Sequence, residues 1–305
     1  MTTREGDPAS RGAAPQAVGG KVRRIAIVTV GREPWACYLA RKLQSSNVEI
    51  FLFSQTALKV EPGSVKYYRR LFKRRGLAIC LDVLLLHAVK AVAKPCLRVL
   101  RGVLSAAGRR GKNGSERAGS ETLWDAESLW REDWLTCVDV ENINRGSDRD
   151  RLREIAPDLI LLAGAPILSR KTIEAARLAC INPHCGITPD YAGPSPIDWA
   201  IYERRFDDIG FTIHLVVPTV DAGPVLYQER IRWNPGRVNG HLWPILARKM
   251  YDKLAEMTLE LIAGKDLTAT PQENVRVNPP AGLFARSLAE MRRIRHALHR
   301  RPSAG

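Results

Sequence analysis

Residues 23–53 read RRIAIVTVGREPWACYLARKLQSSNVEIFLF. The run Arg23–Val30 is apolar, β-branched and stopped by Gly31, which predicts a strand. Pro34 suits the first turn of a helix, where its missing N–H costs nothing. Trp35, Leu39 and Leu43 then recur at helical spacing, and Val48–Phe53 predicts a second strand. A strand–helix–strand opening implies an α/β fold, doubly wound and Rossmann-like, around a mostly parallel sheet.

The rest of the chain continues that pattern. Strands are expected at Thr136–Val140, Asp158–Leu162, Ala179–Asn182, Gly210–Val217 and Val225–Arg232. Helices are expected at Asp150–Ile155, around Ser169–Arg177, and at Pro194–Glu203, Gly240–Ala263 and Leu283–His299. Three units follow: a disordered leader at 1–20, a catalytic domain at 21–264, and a basic helical extension at 265–305. The leader is rich in Gly, Ala, Ser and Pro and lacks a signal peptide's apolar core. Within the domain, 64–112 reads as a basic helical insertion. Its last residues run into a Gly/Arg/Ser-rich linker at 108–120.

The 305 residues are 45% hydrophobic and 26% charged, which suits a soluble globular protein. Cys37, Cys80, Cys96, Cys137, Cys180 and Cys185 are scattered, without CxxC or zinc spacing. Reduced cysteines in a cytoplasmic setting, and no metal, are therefore expected. The net charge of +15 is concentrated. Residues 64–112 carry thirteen Lys or Arg against the single acid Asp82, and 286–301 carry six Arg against Glu290. The remaining body is near neutral, which argues against a general nucleic-acid binder with a basic face spread over its fold.

Asn182-Pro183-His184 and Asp221 supply a kit for acyl transfer. An amide N–H can hold an oxyanion, an imidazole can move a proton, and a carboxylate can orient the imidazole. Asn182 and His184 are two apart, so on a strand their side chains leave the same side. Cys185 next door is a candidate nucleophile with nothing else to support covalent catalysis. His214 sits mid-strand in TIHLV, where a satisfied core histidine competes with a site role.

The stretch Pro157–Glu229 resembles the folate-dependent formyltransferases. The matching text is PDLILLAGAPILS, then CINPHCGITPDYAGPSPIDWAIY, then GFTIHLVVPTVDAGPVLYQE. The resemblance implies a catalytic trio of Asn182, His184 and Asp221, and 10-formyltetrahydrofolate as co-substrate. It implies a folate slot on two loops, with Ala165, Ile167, Leu168, Val217 and Val220 as lining residues. It also implies a substrate loop carrying Gly186, Tyr191 and Gly193, with His214 nearby. Two positions depart from the family's pattern: Gly186 replaces a frequent Ser, and Ala192 replaces an Arg.

The implied activity is formyl transfer to a primary amine, and elimination leaves an amino sugar carried on a nucleotide or lipid. A methionyl-tRNA enzyme ranks lower, because the seventy residues after Pro235 read as helices and not as that family's C-terminal β-barrel. Two functions of a different class stay open: hydrolysis of the formyl donor, and folate binding without catalysis. The 64–112 block has three readings: a solvated insertion packing its Leu/Val face on the sheet, an amphipathic element on an anionic membrane surface, or a nucleic-acid contact, which ranks last. The second would make the enzyme peripheral at the inner membrane surface.

Overall fold

The computed structural model describes residues 14–56, 64–91, 132–232 and 242–299. In chain order the elements are β1 (Gln16–Val18), β2 (Arg24–Val30), α1 (Pro34–Leu43), β3 (Glu49–Gln55) and α2 (Val65–Arg75). Then come α3 (77–91), β4 (Leu135–Val140), α4 (Gly146–Ile155), β5 (Leu159–Leu162) and α5 (Arg170–Ile173). The last are β6 (Ala179–His184), α6 (Pro196–Tyr202), β7 (Gly210–Leu215), β8 (Val225–Arg230), α7 (Leu242–Ile262), β9 (Leu267–Ala269) and α8 (Leu283–His299).

Seven strands form one sheet in the order β4-β3-β2-β5-β6-β7-β8. The five from β4 to β6 are parallel, and β7 runs antiparallel to both of its neighbours, β6 and β8. This is the mostly parallel Rossmann-like sheet expected from residues 23–53. Alternation along β2 divides the core. Ile25 and Ile27 pack with α1 and α7, whereas Ala26 and Val28 pack with Phe53, Leu152 and Leu162 on the other face. On the first face the Trp35 and Tyr251 rings stack at 5.5 Å, and Tyr38 Oη donates to Asp252 at 2.5 Å.

Several boundaries differ from expectation. Gln16–Val18 pairs with β9 and so is not part of a disordered leader. Residues 265–299 are not a separate extension, because they supply β9, a strap over the site loop, and α8 packed on α6. The helix expected around Ser169–Arg177 is reduced to α5, capped by Ser169 Oγ. Strand β6 runs on through Pro183 to His184. Proline is tolerated there because pairing with β5 has already ended at Leu161–Ile181.

The basic block forms the helical pair α2–α3, with a small cluster of Leu71, Cys80 and Val83 between the helices. Its leucine face does not lie on the sheet: Leu77, Leu81, Leu84 and Leu85 are exposed. The rest of the block from residue 92, the 108–120 linker and Cys96 fall outside the described residues. Cys37, Cys80, Cys137, Cys180 and Cys185 are free thiols.

Asp158 ties the first strand to the sheet's centre. Its buried Oδ2 accepts from the Arg23 and Arg24 N–H groups at 2.7 and 3.0 Å, and Oδ1 meets Arg177 at 3.1 Å. Removing a buried carboxylate that satisfies backbone donors leaves them unpaired. Asp158→Ala is expected to cost about 2–3 kcal/mol in urea unfolding; an unchanged midpoint would contradict this role.

Candidate active site

The site lies where β6 outlasts its parallel neighbour. Antiparallel register sets Asn182 opposite His214 on β7, and their side chains meet: Asn182 Nδ2 is 3.1 Å from His214 Nε2. A register shift in the β7–β8 pairing falls between Ile213 and His214, a local irregularity of the kind that re-aims side chains beside active sites. Asp221 enters from the β7–β8 connection with a left-handed backbone, φ 51°.

Asp221 gathers the polar groups. Oδ2 accepts from the Gly193 N–H at 2.8 Å and lies 3.3 Å from His184 Nδ1. Oδ1 accepts from Asn182 Nδ2 at 3.3 Å and lies 3.5 Å from His214 Nε2. Burial alone would raise this carboxyl's pKa. The neighbouring His214 and His184 imidazoles and the Gly193 N–H outweigh burial and hold it down at about 2.

The two histidines differ. His214 is buried, and its Nδ1–H donates to the Leu215 carbonyl at 2.8 Å, leaving Nε2 to accept from Asn182. His184 has an acceptor at each nitrogen: Asp221 at Nδ1, and the Tyr191 carbonyl 2.8 Å from Nε2. A neutral imidazole has one N–H and cannot serve both. Burial nevertheless pushes the His184 pKa below the usual imidazole value, and Asp221 opposes that shift only partly.

The carbonyl of Tyr191 also explains Gly186. A Cβ at residue 186 would stand 2.4 Å from that oxygen and 2.7 Å from His184 Nε2. The expected Ser is therefore excluded by the way the loop closes on the histidine. Ala192, in place of the expected Arg, is fully buried and bridges to Val277. The loop is sealed by backbone here: Arg276 N–H donates to the Pro189 carbonyl, and Asn278 N–H to the Ala192 carbonyl, both at 2.9 Å. Trp199 Nε1 donates to the Pro279 carbonyl at 2.7 Å. Gly193 has φ 84°, and a Cβ there would meet Asn278 O at 2.7 Å.

Ala165, Ile167, Leu168, Val217 and Val220 line one cleft of about 120 Å³, with Asn182, His214 and Asp221 in its wall. His184 is absent from that lining and sits behind Asp221. Tyr191 is not displayed toward a substrate either; it is buried, with its hydroxyl donating to Glu203 at 3.0 Å. Burial pushes the Cys185 thiol up to about 12, unlike a nucleophile, whose pKa is lowered. No His/Cys/Asp/Glu cluster suited to a metal occurs among the described residues.

Sequence reading missed the strap at 276–279. It also missed Gln272, whose Nε2 donates to the carbonyls of Asp221 and Gly223 at 3.2 and 2.5 Å. These residues lie about 50 or more positions from the loops they hold, where no local period points to them.

A family model described as formyl transferase matches residues 143–243. The chain is similar to the methionyl-tRNA formyltransferase of Limosilactobacillus fermentum, 31% identical over 50% of this chain and 48% of the relative. It is also similar to that of Levilactobacillus brevis, 33% identical over 47% and 46%. The chain thus spans about half the length of the curated relatives it matches. A crystal structure of a 4-N formyltransferase from Francisella tularensis has the same fold, at 14% identity and TM-score 0.50, covering 90% of this chain and 88% of that one.

With burial lowering His184 and Asp221 raising it, an NMR titration should place the imidazole pKa below about 6.5. Asp221→Asn should lower it further. A value above the ordinary range, or one indifferent to Asp221→Asn, would contradict the geometry.

Proposed function

We propose, from the chain's membership of the formyl transferase family through residues 143–243, that it moves a formyl group from 10-formyltetrahydrofolate to a primary amine. One observation carries the reading. A single half-buried carboxylate, Asp221, joins Asn182, His184 and His214 at the wall of an apolar cleft.

The cleft suits the flat, largely apolar face of a pterin, which Ala165, Ile167, Leu168, Val217 and Val220 would sandwich. The acceptor nitrogen attacks the formyl carbon, forming a new C–N bond. The bond from that carbon to the folate nitrogen then breaks, and the proton released by the amine passes to the departing nitrogen. The products are a formamide and tetrahydrofolate.

Asn182 would serve the oxyanion. In the free protein both of its amide hydrogens are committed, to His214 Nε2 and Asp221 Oδ1. Negative charge on the formyl oxygen attracts one of them, so that interaction strengthens only as the transition state forms. His214 keeps the amide aimed, its own tautomer fixed by the Leu215 carbonyl. His184 is held neutral by burial and faces Asp221, so it can take up a proton beside a carboxylate that stabilises the imidazolium. Asp221 stays ionised throughout the physiological range.

For the acceptor, the reading is an amino sugar carried on a nucleotide or lipid. A second reading, methionyl-tRNA, is favoured by the activity named for the curated relatives. Both need the same centre and differ only in what docks outside it.

The test is incubation with 10-formyltetrahydrofolate and either nucleotide-linked amino sugars or methionyl-tRNA, read by mass spectrometry. Gain of one formyl group on an amino sugar is expected. Gain on methionyl-tRNA alone moves the acceptor to the second reading. Formate release with no acceptor labelled would mean hydrolysis and would overturn the transfer.

A further inference from the structure

We propose that the outer face of α2, α3 and α8 is a docking surface for an anionic lipid bilayer, which would hold the protein in the interface without spanning it. The inference is independent of the catalytic reading and rests on where apolar and cationic side chains are displayed.

Fourteen large apolar side chains are exposed among the described residues, and ten of them lie on these three helices. On α3 the stripe is Leu77, Leu81, Leu84, Leu85 and Val89, one helical face repeated over four turns. The opposite face of α3 is satisfied: Cys80 and Val83 pack with Leu71, and His87 Nδ1 meets the Tyr68 hydroxyl at 2.6 Å. The outward leucines are therefore not a frayed core. A contiguous exposed apolar face of this kind marks an interaction site.

The same helices carry the charge. Lys66, Arg69, Arg70, Lys73, Arg74 and Arg75 are exposed on α2, whose sequence contains no acid. Apolar residues to enter the acyl boundary, flanked by cations for the headgroups, are the composition of an interfacial helix. A solvated face would lack the leucines, and a purely electrostatic nucleic-acid surface would have no use for them. No described helix is long and apolar enough to cross a membrane, so the surface lies on the bilayer.

Helix α8 extends the face. Asp82 Oδ1 on α3 accepts from the Phe284 N–H at 2.6 Å and so caps α8. Phe284 is itself exposed, with Met291 and Ile294 farther along. Beside Met291 opens a cleft of about 370 Å³ lined by Arg204, Arg292 and Arg295 together with Phe206. No carboxylate lines it, which suits an acidic headgroup. The same helices reach the site: Arg75 donates to the Val277 carbonyl at 2.9 Å, and α8 follows the strap that seals the 189–193 loop. Docking would place the catalytic loop beside the membrane surface, within reach of a lipid-linked amine.

Flotation of the full chain tests this, using phosphatidylcholine vesicles with and without about one quarter phosphatidylglycerol. Two variants at exposed positions leave the fold and the site alone: Leu81→Gln with Leu85→Gln, and Lys73→Glu with Arg74→Glu. The wild type should float only with anionic vesicles, and each variant should lose about tenfold or more of that binding. No flotation of the wild type, or binding indifferent to both variants, overturns the proposal. Loss with the charge reversals alone also overturns it, leaving mere polyanion attraction. Concentration-dependent self-association abolished by the leucine variant in sedimentation, without vesicle binding, would assign the face to a second copy of this chain.

Discussion

The site depends on one half-buried carboxylate serving four partners at once. Asp221 meets two imidazoles, a carboxamide and a backbone N–H, each within 3.5 Å of one of its oxygens. An ionised group largely withdrawn from water, its side chain 11% exposed, is tolerated when paired and hydrogen-bonded, and here those contacts more than offset the cost of desolvation. The arrangement constrains everything nearby. Gly193 must be glycine for the loop to present its N–H, β7 must break register at His214, and Gln272 must hold the Asp221 carbonyl. The strained φ of Asp221 is the backbone's share of that arrangement.

The two departures from the family's motif each coincide with a main-chain contact. A resemblance argued from side chains treats Gly186 and Ala192 as losses. In the structure each makes room for a backbone contact: the Tyr191 carbonyl on His184, and residues 276–279 along the loop. At Ala192 the loop is closed by a backbone seam with residues 276–279. Because that seam continues into α8, and α8 is capped from α3, the helices that carry the excess charge are mechanically continuous with the loop that frames the chemistry.

The sheet was legible where burial dictates composition. Ile25–Val30 and Ile50–Phe53 are apolar because both faces of those strands are covered, and no other element tolerates such runs. Asn182, His184 and Asp221 could be singled out because they are side-chain chemistry, and the structure brings the three together. What stayed hidden was made of main chain or of distance. The Tyr191 carbonyl has no residue signature, and Gln272 and Asn278 reach the site from a separate part of the chain. The strand expected to end at Asn182 continues through Pro183, which lacks a donor, where no parallel neighbour needs one. The Leu/Val content of the basic insertion was visible, but composition cannot say which face of α3 finds a partner.

Single-turnover formyl transfer at saturating 10-formyltetrahydrofolate, comparing wild type with Asp221→Asn, tests the central claim most directly. Asn keeps the size of the residue but removes the charge and one acceptor, so His184 and Asn182 lose their common anchor. A fall in rate of about 10² or more is predicted. A variant that transfers formyl as fast as the wild type would contradict the account, because a centre that works without this carboxylate is not organised by it.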